Sequence, residues 1–148
     1  MHLLRSVATC VAAAFVAVPA LAQDNVALTS EVHVVRVVDG KEQLDPPASV
    51  LPGDRLVFTT RYRNAGSVSV DNFVVTNPLP APVVLASDGA FAVSVDGGRT
   101  FGPLAEQRIT EDGAARAATT ADVTHVRWNL PSIAPGAGGE LSYFATVR

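Results

Sequence analysis

The side chains of this chain that could do chemistry are few and dispersed. Downstream of the N-terminal leader described below, histidine occurs only at His33 and His125, neither with a second ligand at i+2 or i+4. A zinc site would need carboxylates brought in from loops, and the simpler reading of each is an outward or rim imidazole. Asp71, Asp88, Asp96 and Asp112 are hard oxygen donors of the kind calcium takes, but none stands in a D-x-D-x-D array. Turn geometry alone explains Asp-Gly pairs. No G-x-S-x-G nucleophile turn is present, so Ser, His and Asp carry no signature of a hydrolase. Lys41 is the single lysine and the one possible donor for a Lys–Asn isopeptide bond; it falls in a loop-like stretch, Asp39 to Gln43.

Arg61, Arg63, His125 and Arg127 form the remaining candidate, a surface-recognition set. All four fall on the outward phases of alternating segments, and arginine is enriched at binding hot spots. The competing reading is solubilising charge that also blunts strand pairing. Phe58, Tyr62, Trp128 and Tyr143 lie on core phases, which leaves no sugar-stacking platform visible; Phe144 points the other way from Tyr143. The residues support no catalytic, cofactor-binding or metal-binding assignment, and the implied cofactor set is empty.

The elements that would position these residues are short and alternate with period two. Val26, Leu28, Val32 and Val34 share a phase of a first strand ending near Asp39-Gly40, with a break at Asp45-Pro46-Pro47. Pro52-Gly53-Asp54 opens a second, with Leu56, Phe58, Thr60 and Tyr62 facing a core and Val57, Thr59, Arg61 and Arg63 facing water. Val68 to Thr76 carries apolar residues in both phases after Asp71-Asn72, for which a bulge is the expected device. Prolines at Pro78, Pro80 and Pro82 mark an edge or corner. Short runs follow at Val83 to Ala86 and Phe91 to Val95, and Asp96-Gly97-Gly98 has hairpin chemistry. Leu104 to Thr110 reads as a strand turned at Glu111-Asp112-Gly113, and the alanine-rich Ala114 to Asp122 as room for one helical turn. Val126, Trp128 and Leu130 alternate with His125, Arg127 and Asn129; after the Pro135 to Gly139 loop, Leu141, Tyr143, Ala145 and Val147 share one face of a closing strand. About seven or more short strands with turn signals roughly every 8–12 residues predict an all-β, antiparallel β-sandwich, with an antiparallel barrel as the competing architecture.

The first 22 residues read as a signal peptide: Arg5 supplies charge, Val7 to Val18 is uncharged and apolar, and Ala20-Leu21-Ala22 has the small-x-small form cut before Gln23. The apolar run is shorter than the roughly 20 residues of a membrane helix. Residues 23–148 then form a single domain, large enough to bury about two-thirds of its unfolded surface. Cys10, the single cysteine, lies inside the leader, so the exported domain is expected to lack disulfides and thiol chemistry. Ten basic residues against fourteen acidic ones remain, a balance with no footprint for nucleic acid or anionic lipid.

Three ordered segments resemble the bacterial "conserved repeat" domain of cell-surface proteins, a family of unknown function. They are Leu51-Pro52-Gly53-Asp54 leading to Asn64-Ala65-Gly66, Asn72 to Pro80, and Val126 to Leu130 with Pro135-Gly136. Thr76-Asn77 stands where that family usually has Thr-Asp. The resemblance implies an immunoglobulin-like sandwich, present here as a stand-alone copy, and a non-enzymatic role. Separately, Ser94 to Phe101 is similar to the Asp-box hairpin of sialidases, with Phe101 in place of Trp; a single copy supports the turn rather than sugar hydrolysis. The expectation is thus a non-enzymatic periplasmic or secreted module, monomeric, that binds or spaces another envelope or surface protein. A carbohydrate-binding domain is the alternative.

Overall fold

The computed structural model describes residues 25–148; the leader, its cleavage site and Cys10 lie outside the described residues. In chain order the strands are β1 (Val26–Val38), β2 (Lys41–Asp45), β3 (Arg55–Asn64), β4 (Val70–Pro78), β5 (Val83–Leu85), β6 (Ala92–Ser94), β7 (Arg108–Glu111), β8 (Ala114–Ala117), β9 (His125–Ile133) and β10 (Gly138–Val147). All pair antiparallel, in a five-stranded sheet β2-β1-β3-β10-β5, a three-stranded sheet β4-β9-β6 and a separate β7-β8 hairpin. Two sheets packed through apolar inner faces make the chain a β-sandwich.

Long range pairing dominates the large sheet. β3 pairs with β1 from Val26↔Asn64 to Val35↔Arg55 and with β10 from Gly138↔Arg63 to Thr146↔Arg55. Val34, Leu56, Leu85, Tyr143 and Ala145 from this sheet meet Val75, Val93, Val126 and Trp128 from the small one in a single buried cluster. Tyr143 stacks on Phe58 with ring centroids 4.8 Å apart, and Trp128 tilts against Tyr143 at 6.3 Å. Burial pushes the Tyr143 phenol up to about 12, because its ionised form would be stripped of water.

The chain crosses between sheets after β3, and polar side chains fix the crossing. Asn64, fully buried, donates through Nδ2 to the carbonyls of Val68 and Ile133 at 2.7 and 2.9 Å. Asn77 on β4 donates to Thr60 Oγ1 on β3 at 2.9 Å. These bonds lay β4 over β3, while the Trp128–Tyr143 contact lays β9 over β10. No described strand of the small sheet continues past β4 over β1, so Leu28, on a core phase, is 48% exposed.

Several local expectations are corrected. Lys41 lies on a strand: Asp39 and Gly40 both adopt positive φ, 52° and 76°, the signature of a two-residue hairpin turn, and Lys41 pairs with Val38. The charged sequence Lys41-Glu42-Gln43-Leu44-Asp45 hides this edge strand because it has no apolar alternation. Val57, on the phase expected to face water, is 7% exposed. Its cross-strand neighbours are His33 and Phe144, and Arg55 lies 4.1 Å over the Phe144 ring, so the outer face carries a small packed cluster of its own.

The bulge expected after Asp71-Asn72 is absent. Register runs without a slip from Val70↔Ile133 to Pro78↔His125. Phase nevertheless reverses in both strands, since Val70 and Ile133 are buried on one side of the break and Val75 and Trp128 on the other. The reversal coincides with Asn72, at φ 53°, and with Pro131, which falls opposite it and has no N–H to donate. The region read as one strand from Leu104 to Thr110 divides into a 3₁₀ turn, Leu104–Glu106, and β7. The alanine-rich stretch divides into β8 and a 3₁₀ turn at Thr120–Asp122, capped by Thr119.

Candidate functional site

The four recognition candidates separate into two pairs on opposite faces of the sandwich. Arg61 and Arg63 project from β3 on the outer face of the large sheet. Arg61 lies between Glu31 of β1 and Glu140 of β10, and the Glu140 hydrogen bond and charge, with Glu31, raise its pKa. Arg63 is exposed one step along the same phase. His125 and Arg127 project from β9 on the outer face of the small sheet, where the Ser94 to Phe101 turn closes over them.

That turn is built around one carboxylate. Asp96 Oδ1 accepts from the backbone N–H groups of Arg99 and Thr100, both at 3.0 Å, and from Ser94 Oγ at 2.7 Å, while Oδ2 accepts from Thr100 Oγ1 at 2.7 Å. These donors, Thr100 first, hold the Asp96 carboxyl far below the ordinary carboxylate range. Gly97 and Gly98 take φ of 78° and 86°, which side chains rarely adopt. The strand returns to bridge Val93 and Gly102, placing Phe101 beside β9. Arg127 then lies over Phe101, donates through Nε to Thr76 Oγ1 at 2.9 Å, and so ties the turn to β4. Phe101 meets the His125 ring edge-on at 6.4 Å, and His125 Nδ1 contacts Thr124 Oγ1 at 3.0 Å. Both candidates on this face are therefore packed into a structural unit.

Two features were not legible from residue types. One is the outer edge of β4. Leu79 N–H bonds the Thr124 carbonyl, so by strand alternation Asn77, Val75 and Phe73 direct their N–H and C=O groups to β9, while Val74 and Thr76 direct theirs away, where no described strand lies. The other is a cleft of about 590 Å³ between β9 and the segment 88–92, lined by Asp88, Phe91, Arg127, Trp128, Asn129 and neighbours.

Titratable groups elsewhere serve local structure. Arg116 of β8 bridges Glu111 and Asp122, and the Asp122 carboxyl, held first by Arg116 and then by the Thr119 N–H, lies well below its ordinary range. Asp71 accepts from Ser132 Oγ at 2.6 Å, tying β4 to β9. Among the described residues no three His, Cys, Asp or Glu side chains come together as metal ligands, and no helix is long and apolar enough to cross a membrane. Comparison with protein-family models, curated proteins and solved structures finds no match. The fold defines the class, an antiparallel β-sandwich.

Proposed function

We propose that this chain is a non-enzymatic, exported β-sandwich module that binds another protein of the envelope or extracellular space by accepting one of that protein's strands along β4. The observation that carries this is the contrast among its sheet edges. Unpaired edges invite strand addition and are normally blunted by charge, proline, brevity or cover. β2 carries Lys41, Glu42 and Asp45; β5 is three residues long and follows Pro80 and Pro82; β6 is three residues long and bridged to Gly102; the β7-β8 hairpin carries Arg108, Glu111 and Arg116. β4 has nine residues; Pro78 blunts its last position, but Asn72 to Asn77 carry no charge and Val74 is 48% exposed.

An added strand would hydrogen-bond Val74 and Thr76, and its inward side chains would meet the inner face of β1, where Leu28 is uncovered. Main-chain bonds supply affinity in such augmentation and alternate side chains supply specificity. Periplasmic or secreted placement is supported by the signal-peptide pattern of the first 22 residues, and the non-enzymatic role by the resemblance of residues 51–136 to the surface-protein repeat. The test is a photo-crosslinking residue placed at position 74 in the producing cell, with position 37 on the outer face of the large sheet as control. A discrete adduct with one second protein from position 74 alone is expected, and equal yields from both positions would contradict the proposal.

A further inference from the structure

We infer that the cleft beside β9 is a carbohydrate site, taking a neutral mono- or disaccharide. This goes beyond strand acceptance and uses a different part of the small sheet. β6 begins at Ala92, paired with Arg127, and ahead of it the chain turns away through a Phe91 N–H to Gly89 carbonyl bond. β9 continues past this point with no described strand on that side. Val93 bonds Gly102 in both directions, so Ala92 and Arg127 direct their main-chain groups at each other. By the same alternation Asn129 directs its N–H and C=O into the cleft, unpaired by any described strand.

The lining supplies what a sugar needs and what an ion or a wholly apolar ligand does not. Phe91, half-buried and held edge to face at 5.5 Å by the buried Trp128, supplies an apolar surface suited to the C–H face of a pyranose ring. Asn129 offers a side-chain amide beside its free main chain. Asp88 accepts from the Gly89 N–H through Oδ1 at 2.9 Å, leaving Oδ2 for a hydroxyl. Arg127 is oriented by Phe101 and Thr76, and its terminal nitrogens remain as donors. Asp88 and Arg127 offset one another, so a ligand of either charge meets a like charge as well as an opposite one. A volume of about 590 Å³ falls within the roughly 300–1,000 Å³ of small-molecule sites.

Trp128 is the only tryptophan of the chain and packs against Phe91, so its emission reports on a ligand seated on that ring. The test applies the full chain to a glycan array and titrates its fluorescence with glucose, N-acetylglucosamine, maltose and cellobiose. Retention of one glycan class and a saturable change in emission with a sugar of that class are expected. Asp88→Ala and Asn129→Ala, both at exposed positions, are each expected to weaken binding by roughly tenfold, the cost of a hydrogen bond to a desolvated partner, with the unfolding midpoint unchanged. Val74→Lys, which blocks the β4 edge, is expected to leave sugar binding intact, which separates failure of this site from failure of strand acceptance. Absence of any retained glycan together with unmoved emission would overturn the inference, as would binding that survives both cleft substitutions.

Discussion

The Arg127 guanidinium carbon lies 3.5 Å from the centroid of the Phe101 ring, a contact that joins a β9 side chain to the far end of the Asp96 turn. Its Nε–H donates to Thr76, so one side chain spans the full width of the small sheet. A cation over an aromatic face contributes about 0.5–2 kcal/mol depending on desolvation. Arg127→Ala is expected to lower unfolding stability by about 1–2 kcal/mol, the sum of the ring contact and the lost hydrogen bond. Urea denaturation of the variant checks this; a midpoint equal to that of the parent would make Arg127 a free surface charge.

Acid sensitivity follows from the depressed carboxyls of Asp96 and Asp122. A group whose folded pKa lies below its unfolded value contributes stability that is fully present above the unfolded value, about 3.9 for Asp, and is lost as pH falls through the folded one. Stability should therefore hold at neutral pH and decline below about pH 4. Asp96→Asn removes part of that decline: the variant should be less stable than the parent at pH 7 and approach it at low pH. Denaturation midpoints across the range check the sign, and two parallel curves would contradict it.

Trp128 joins both sheets, edge-on to Phe91 and tilted against Tyr143, and is 8% exposed. Truncating such a residue costs about 3–5 kcal/mol, against a usual total of about 5–15. Trp128→Ala should lose a large share of its stability by calorimetry, and native emission should be blue-shifted from that of free tryptophan. Emission as red as free tryptophan would contradict this packing.

The all-β class, the phase of β9 and β10 and the hairpin at Asp96 were legible because each rests on local rules: period-two alternation and positive-φ turn residues. The edge strand β2 was not, since solvent on both sides removes alternation from Lys41 to Asp45. Nor was the burial of Val57, which depends on His33 and Phe144 arriving from distant strands. The mixed phases around Asn72 signal a disturbance in sequence, but a bulge and a paired reversal look alike there, because the placing of Asn72 opposite Pro131 shows only in the register of β4 against β9. Arg61, Arg63, His125 and Arg127 share an outward phase, but phase within a strand does not say which sheet the strand joins. The cleft and the β4 edge arise from where β6 begins and where the small sheet stops, and neither is a property of any residue's neighbours in sequence.

Export is open to a simple check. Mass spectrometry of the protein recovered outside the cytoplasm should find its N-terminus at or near Gln23, after the Ala20-Leu21-Ala22 site. A mature form that keeps Met1 would contradict the proposed location.

Strand acceptance at β4 is tested most directly by amide hydrogen exchange on the protein alone and in complex with the partner identified by crosslinking at position 74. In the free protein the amides of Val74 and Thr76 should exchange quickly while those of Val75 and Asn77, directed to β9, are protected. In the complex Val74 and Thr76 should slow to the level of their neighbours, as new ladder bonds require. Complex formation that leaves these two amides exchanging at their free rates, with protection arising elsewhere on the sandwich, would contradict the account.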